Sequence, residues 1–125
     1  MREGFFVRHI ADVFVLIQFA AMLPLNMLAG AVRFDDSLPD WALLDAPARE
    51  GSTRVFRGRV AFERGFSAFP VVQIGVTGFD IDNGANARLN VAVVGVDVQG
   101  FDVEVRTWWD SRLWSVELSW LAIGH

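Results

Sequence analysis

The sequence predicts an all-β protein, a six-stranded antiparallel β-sandwich that follows an apolar N-terminal segment. After residue 32, apolar and polar residues alternate with a period of two, as expected for strands that bury one face. Turn-forming residues separate the alternating stretches at short intervals. No helical period appears in this part of the sequence. Short strands at this spacing are typical of antiparallel sandwiches.

The individual strands follow from the alternation and from the turns between them. The alternation is clearest near the end, where Val103 and Val105, and later Val116 and Leu118, are separated by polar residues. Gln99-Gly100 is one of the turn signals. The six strands are predicted at 31–35, 54–63, 70–78, 86–98, 100–109 and 113–123.

One connection is longer than the others. Residues 36–53 contain Pro39, Pro47 and Gly51, which interrupt regular structure, and Trp41 as an apolar anchor. We expect this connection to lie over one end of the sandwich.

Residues 1–31 are more apolar than the rest of the chain. A basic start, a short apolar stretch, Pro24 and a small-x-small motif ending at Ala31 are typical of a secretory signal. We therefore divide the chain into a signal-like segment, 1–31, with a cut after Ala31, and a domain at 32–125 in a secreted or cell-surface protein. Two alternatives to a secretory signal stay open. The first is a retained amphipathic helix packed on the domain. The second is a membrane anchor, although the apolar stretch is shorter than the roughly 20 residues of a spanning helix.

The composition excludes several classes of function. A net charge of −4 at pH 7 and a pI near 5.0 argue against nucleic-acid binding, which needs a basic surface. The sequence has no cysteine and no lysine, so disulfides, thiolate metal sites and Schiff-base chemistry are excluded. The two histidines, His9 and His125, are close to the termini. We expect neither a metal nor a cofactor.

The acidic residues raise two further hypotheses, both of which we disfavour. A glycosidase would use paired carboxylates such as Glu104 and Glu117, but the alternation predicts that both are exposed, and a catalytic acid needs a raised pKa. The stretch 80–84 is acidic like a calcium loop, but its glycine is one place too early and Val91 stands where a glutamate is required. We expect a polar turn in which Asn83-Gly84 supplies positive φ.

Several short motifs, separate in the sequence, together match one known family. In chain order they are Val60-x-Phe62, Phe66, Phe69-Pro70-Val71-Val72, Asp80, Asn86-x-Arg88, Gly100-Phe101, Thr107-Trp108 and Ser119-Trp120-Leu121-Ala122-Ile123. With these motifs, the sequence from Arg54 to the end resembles the H-type lectin domain, the fold of snail agglutinins and of the C-terminal domain of discoidins. Upstream, Gly30 to Phe34 and Trp41 fit the same family with looser spacing.

The resemblance implies a six-stranded sandwich that assembles as a homotrimer, sometimes doubled to a hexamer. It implies multivalent binding of glycans that carry galactose-type residues such as N-acetylgalactosamine, without calcium, for adhesion or cell-surface recognition. The family's sites lie at the junctions between protomers. The alternative function is a structural trimerisation or attachment module that has no sugar site.

The resemblance also implies two charged residues of the sugar site. Arg88 stands where the family places an arginine that reaches the ligand from a neighbouring protomer. Its alternative role is a surface arginine paired with Asp80 or Asp82. In the loop before the second strand, Glu50 is the nearest counterpart of a sugar-binding aspartate, and Ala48 of a glycine. A solvated loop acid is the alternative for Glu50.

Three tryptophans around the last hairpin are the aromatic candidates. Trp108 and Trp114 match aromatic positions of the family's site, while the alternatives are a core edge for Trp108 and a core position for Trp114. Trp114 shares its predicted face with Val116 and with Trp120, which we predict to be core. Trp109 stands where snail members have a histidine. Because an indole donates one N–H but cannot accept, Trp109 either extends an aromatic platform or changes the sugar preference.

Overall fold

The computed structural model describes residues 24–84 and 86–125, and this part of the chain confirms the predicted all-β class. None of the described residues forms a helix, and so none forms a helix long and apolar enough to cross a membrane. The signal-like segment up to residue 23 lies outside the described residues. The strands are β1 (Asn26–Asp35), β2 (Thr53–Ala61), β3 (Val71–Ile81), β4 (Asn90–Asp97), β5 (Gly100–Trp108) and β6 (Leu113–Gly124).

The six strands form two antiparallel three-stranded sheets. One sheet has the order β1-β6-β3 and the other β2-β5-β4, so β6 and β5 are the central strands. The inner faces of the sheets meet in the core, where Phe101, Val103 and Val105 of β5 and Val116 and Leu118 of β6 are fully or almost fully buried. The predicted sandwich is therefore the observed fold.

The prediction for the first strand was too short at its start. β1 begins at Asn26 rather than at residue 31, and it pairs with β6 along its whole length. Gly30 pairs with Trp120, and a Cβ on Gly30 would lie 2.9 Å from the Trp120 indole. The absence of a side chain at Gly30 is therefore explained by the Trp120 indole, which occupies the space where that side chain would be. A cut after Ala31 would divide this strand.

The fourth strand starts later than predicted, at Asn90 rather than at residue 86. The carbonyl groups of this preceding stretch bind side chains of the β5–β6 hairpin instead of a neighbouring strand. Asn86 O accepts a hydrogen bond from Ser111 Oγ, and Arg88 O accepts one from Thr107 Oγ1 at 2.6 Å.

The long connection between β1 and β2 is fixed by two apolar residues rather than one. Trp41 is half-buried, and its Nε1 donates to the carbonyl of Leu113 at 2.9 Å. Leu43 is fully buried, and its carbonyl accepts from the backbone N–H of Leu113, also at 2.9 Å. The connection is thereby attached to the start of β6. Trp120, predicted to be core, is half-buried against Phe62 and Phe101.

The two sides of the sandwich differ in how well they are closed. We call the side formed by β1 and β2 the closed side, and the side formed by β3 and β4 the open side. Val116 on the inner face of β6 pairs with Phe34 on β1 and with Phe79 on β3. Phe34 packs on Phe56 of β2 at 5.3 Å between ring centroids and is 6% exposed, whereas Phe79 is 50% exposed. Val76, also on the inner face of β3, is 46% exposed.

Candidate functional site

All five candidate residues lie at one end of the sandwich, around the hairpin that joins β5 to β6. Trp108 is the last residue of β5, and Trp114 is the second residue of β6. The loop that carries Glu50 leads into β2, and the stretch that carries Arg88 leads into β4. Because β5 lies between β2 and β4, these two segments flank the hairpin on opposite sides. They are separated by two strand spacings, about 10 Å.

On the closed side, Trp109 and Glu50 come together. Trp109 is the first residue of the turn, has a φ of 57° and is 43% exposed. Its indole lies on Gly51, where an added Cβ would stand 3.5 Å from the ring; Gly51 itself has a φ of 79°. Glu50, the residue before Gly51, is exposed. An aromatic face and a free carboxylate are therefore neighbours on the surface.

On the open side, Arg88 is held by the hairpin. Its Nη1 donates to Asp110 Oδ1 at 2.7 Å and to Ser111 Oγ at 3.2 Å. The alternative in which Arg88 pairs with Asp80 or Asp82 is wrong, because the acidic partner is Asp110. Asp110 is largely exposed, whereas most of the Arg88 side chain is covered. The Nε and Nη2 groups of Arg88 make no hydrogen bond among the described residues.

Trp114 does not share the face of Val116, so the core alternative for this residue is wrong. Asp80 pairs with Ser115 and Ile81 pairs with Leu113, which leaves Trp114 as the extra residue of a β-bulge. The bulge turns the side chain outwards, where it is 42% exposed and its Nε1 donates to Asp82 Oδ1 at 3.2 Å.

Trp108 is half-buried on the outer face of its sheet. It pairs with Thr53 and follows Glu104 and Arg106 along this face of β5.

Three polar residues that sequence reasoning missed connect the two sides. Arg54 and Thr107 pair across β2 and β5 on the inner face, and Ser111 is fully buried in the turn. Ser111 Oγ donates to Asn86 O and accepts from Arg88, while its own carbonyl accepts from Arg54 Nη1 at 3.0 Å. Arg54 has a signal in the sequence, since it occupies the same alternation phase as Phe56. Ser111 has no such signal.

The two carboxylates that the glycosidase hypothesis would use, Glu104 and Glu117, do not face each other. Glu104 is 5% exposed rather than solvated, because the Arg57 and Arg106 side chains cover it. Hydrogen bonds from Arg106 and then from Arg57 hold the pKa of Glu104 below its usual value, the opposite of what a catalytic acid requires. Glu117 lies on the outer face of the other sheet, beside Arg33. The two carboxylates are on opposite faces of the molecule.

The acidic stretch after β3 forms the expected polar turn, with Gly84 at a φ of 92°. In the part of the chain that the structure describes, no three acidic or histidine side chains are grouped as metal ligands.

Such a sandwich, with aromatic and charged side chains at one loop end, defines a small β-sandwich binding domain. The chain belongs to the H-type lectin domain family, whose model matches residues 57–123. A protein of Fuscovulum blasticum described as "ATP synthase subunits region ORF 7" is 35% identical over 71 residues, which cover 57% of this chain and 62% of that protein.

Two solved structures of discoidin II from Dictyostelium discoideum have the same fold. The native recombinant protein and the wild-type protein each give a TM-score of 0.64 at 24% sequence identity over 80% of this chain. The chain spans 37% and 36% of those discoidin II chains, and less than two thirds of the Fuscovulum blasticum protein.

Proposed function

We propose that this chain is a lectin that binds glycans with galactose-type residues, such as N-acetylgalactosamine, through the hairpin end of the sandwich. Membership of the H-type lectin family supports sugar binding. The observation that carries the proposal is the exposed indole of Trp109 beside the exposed Glu50. A sugar offers a weakly apolar ring face and hydroxyl donors, and these two side chains match both.

The hydrogen-bonding roles follow from the side chains. Trp109 Nε1 donates one hydrogen bond and accepts none, so the carboxylate of Glu50 accepts from the sugar hydroxyls. Arg88 donates from the edge of its guanidinium group that Asp110 leaves free. Trp108 and Trp114 extend the aromatic surface on the two sides of the hairpin.

We place the complete site between two copies of the chain. Glu50 and Trp109 lie beside β2 on the closed side, and Arg88 lies before β4 on the open side, about 10 Å away. When the open side of one protomer meets the closed side of the next, Arg88 is delivered to the neighbour's Glu50 and Trp109. A head-to-tail contact of this kind closes into a ring, as in a homotrimer, when the rotation between neighbouring copies returns to the first copy.

The open side supports this assembly. Phe79, Val76 and Val94 are 50%, 46% and 43% exposed, and the first two belong to the inner face of the sandwich. A second copy would remove this apolar surface from water. Three or six linked sites would raise the apparent affinity for a glycan surface about 10²- to 10⁴-fold, the basis of adhesion or cell-surface recognition.

A glycan array with purified protein tests the sugar site. We expect binding to N-acetylgalactosamine or galactose glycans, and we expect Glu50→Ala and Arg88→Ala each to weaken it at least tenfold. Glu63→Ala and Arg64→Ala are the matched controls, because both residues are exposed at the opposite end of the sandwich. Equal loss in the controls, or no loss in the site variants, would show that the site is elsewhere.

Sedimentation of the same samples tests the assembly. A trimer or hexamer is expected. A monomer that still binds glycans contradicts a site shared between copies. A trimer that binds no glycan on the array favours the alternative, a structural attachment module, for which the apolar open side is sufficient.

We propose a secreted or cell-surface location from the signal-like pattern of the first residues. Because β1 pairs with β6 from Asn26 onwards, we place the cleavage site before Asn26 rather than after Ala31. Mass spectrometry of the exported protein tests this position, and a mature chain that starts at Val32 would contradict it.

A further inference from the structure

One buried side chain ties together the loops that form the hairpin end. Arg54 is 8% exposed. Its Nη2 donates to the carbonyl of Trp109 at 2.5 Å, and its Nη1 donates to the carbonyls of Asp45 and Ser111 at 2.5 and 3.0 Å. These three acceptors belong to the long connection before β2 and to the β5–β6 turn. One guanidinium group therefore joins two segments that have no regular secondary structure at these points.

This buried arginine is unusual because no carboxylate among the described residues forms an ion pair with it. Its buried guanidinium group is bonded to backbone carbonyl groups instead, and the carboxylate of Asp45 favours the charged form only from a longer distance. Loss of hydration and the nearby Arg112 lower the pKa of Arg54. Burying a cation without a carboxylate is unfavourable unless hydrogen bonds compensate for the lost water. Three carbonyl acceptors provide part of that compensation, while the buried Arg54 Nε has no hydrogen-bond partner among the described residues.

The geometry of Trp109 depends on one of these bonds. A φ of 57° is unfavourable for a bulky residue, and such backbone persists only where its surroundings fix it. The Trp109 carbonyl is fixed by Arg54, and its indole is fixed against Gly51. The bond from Arg54 therefore orients the plate that we place against the sugar.

The hydrogen bond from Arg54 to the Ser111 carbonyl links Arg54 to the open side as well. The Ser111 carbonyl accepts from Arg54, and the Ser111 hydroxyl accepts from Arg88. A shift of Ser111 would therefore change the position of Arg88 as well. Both halves of the candidate site are connected through one side chain that does not itself face the ligand.

We propose that Arg54 is the positioning residue of the sugar site: it holds Trp109 and Ser111 in place through their carbonyl groups. The effect on sugar affinity rests on the proposed lectin function, whereas the effect on the loops does not. Lysine cannot replace Arg54, because one ammonium group on a longer, flexible stem does not reproduce a planar fork aimed at three carbonyls.

The test compares Arg54→Lys and Arg54→Met with Arg57→Lys and Arg57→Met. Arg57 lies on the same strand but points outwards, where it binds Glu104. Hydrogen exchange is measured on the free protein, together with urea unfolding. In both Arg54 variants we expect exchange at 45–52 and 109–112 to rise at least tenfold, while β1 and β6 change less than twofold. The Arg57 variants are expected to leave both segments within twofold of the original protein.

A uniform rise in exchange over all strands would overturn the proposal, because it would mean that Arg54 stabilises the whole domain rather than the loops. Unchanged exchange in the loops would overturn it as well. If Arg54→Met unfolds, Arg54→Lys carries the test, and unfolding of both variants in water would also contradict a role limited to positioning.

Titration with N-acetylgalactosamine then separates the two proposals. Where the original protein binds the sugar, Arg54→Lys is expected to weaken binding at least tenfold and Arg57→Lys less than twofold. If Arg54→Lys binds as tightly as the original protein, the positioning role is wrong even if its loops exchange faster. If the original protein binds neither N-acetylgalactosamine nor any arrayed glycan, the sugar function fails, and hydrogen exchange alone decides whether Arg54 positions the loops.

Discussion

The closed and open sides of the sandwich place the same kind of residue against the same partner, with opposite results. Phe34 on β1 and Phe79 on β3 both pair with Val116, yet they are 6% and 50% exposed. On the closed side, Phe56 fills the space next to Phe34, and Gly58 is needed there because a Cβ would lie 2.5 Å from the Phe34 ring. On the open side, Val91, Val93 and Val96 of β4 also pack against the core, yet Phe79 stays half exposed.

This difference shows that register alone does not bury a side chain. Pairing with β6 selects the inner face for both phenylalanines, but burial depends on what the opposite sheet provides. The uncovered side is also the side on which Arg88 lies, whereas Glu50 and Trp109 lie on the closed side. The asymmetry of the core and the division of the candidate site therefore coincide, as a head-to-tail assembly requires.

The largest expected effect is the loss of stability when the first residues of β1, on the closed side, are removed. A chain that starts at Val32 lacks residues 26–31 of β1, including Leu28, which packs on the core. Loss of this burial and of the paired backbone is expected to lower the free energy of unfolding by about 3 kcal/mol or more, compared with a chain that starts at Pro24. Urea unfolding followed by tryptophan fluorescence measures the difference. Equal midpoints would show that β1 is complete without these residues.

Truncation of the two matched phenylalanines tests the comparison directly. In dilute protein, Phe34→Ala is expected to cost about 3–5 kcal/mol of unfolding free energy, and Phe79→Ala about 1 kcal/mol or less, because half of its surface is already in water. Sedimentation should reverse the order, with Phe79→Ala weakening self-association. Similar losses of stability in both variants would mean that the open side is covered within one protomer.

The sequence was sufficient to predict six strands but not all of their limits. Period-two alternation identifies β5 and β6, because each buries one face continuously. The start of β1 was missed because Ala29, Gly30 and Ala31 look like a cleavage motif, and Trp120, which explains the glycine, is distant in the sequence. Trp114 was assigned to the wrong face because a bulge breaks the alternation there.

The candidate site residues came from the resemblance and stay predictions. The family's motifs indicated Arg88, Trp108 and Trp114, whereas the partner of Arg88, Asp110, follows from folding and not from spacing. Arg54 was overlooked although it is a charged residue in an inward phase of β2. Alternation identifies a charged residue at an inward position, but it does not show which carbonyl groups accept hydrogen bonds from that residue.

Smaller effects on stability are expected when alanine replaces either of two glycines in the strands that flank β6. A methyl group on Gly30 of β1 would lie 2.9 Å from the Trp120 ring, whereas one on Gly75 of β3 would lie 3.6 Å from Ser119 Oγ. Gly30→Ala is expected to cost about 1–3 kcal/mol through overpacking. Gly75→Ala is expected to be neutral or to add up to about 1 kcal/mol, since alanine loses less backbone entropy than glycine. Destabilisation by Gly75→Ala would mean that the outer face of β3 has less room than the 3.6 Å distance to Ser119 Oγ indicates.

The smallest expected effect is a pH dependence of stability that comes from the central strand β5 and so does not distinguish the closed side from the open side. Glu104 on the central strand β5 accepts from Arg106 Nε at 2.6 Å and from Arg57 Nη2 at 2.8 Å, and these bonds lower its pKa from the usual 4.5. The folded state therefore favours the carboxylate, so this stabilisation is fully present above pH 4.5 and is lost as the pH falls through the lowered pKa. Glu104→Gln should reduce stability at neutral pH and flatten the fall in acid.

Urea unfolding from neutral pH into the acid range measures this, with Glu63→Gln as the control, since Glu63 is exposed and makes no ion pair among the described residues. Because both arginine partners belong to the same protomer, the acid effect of Glu104 is expected to be independent of protein concentration. An effect that grows with concentration would instead place the outer face of β5 in the contact between copies, in addition to the open and closed sides.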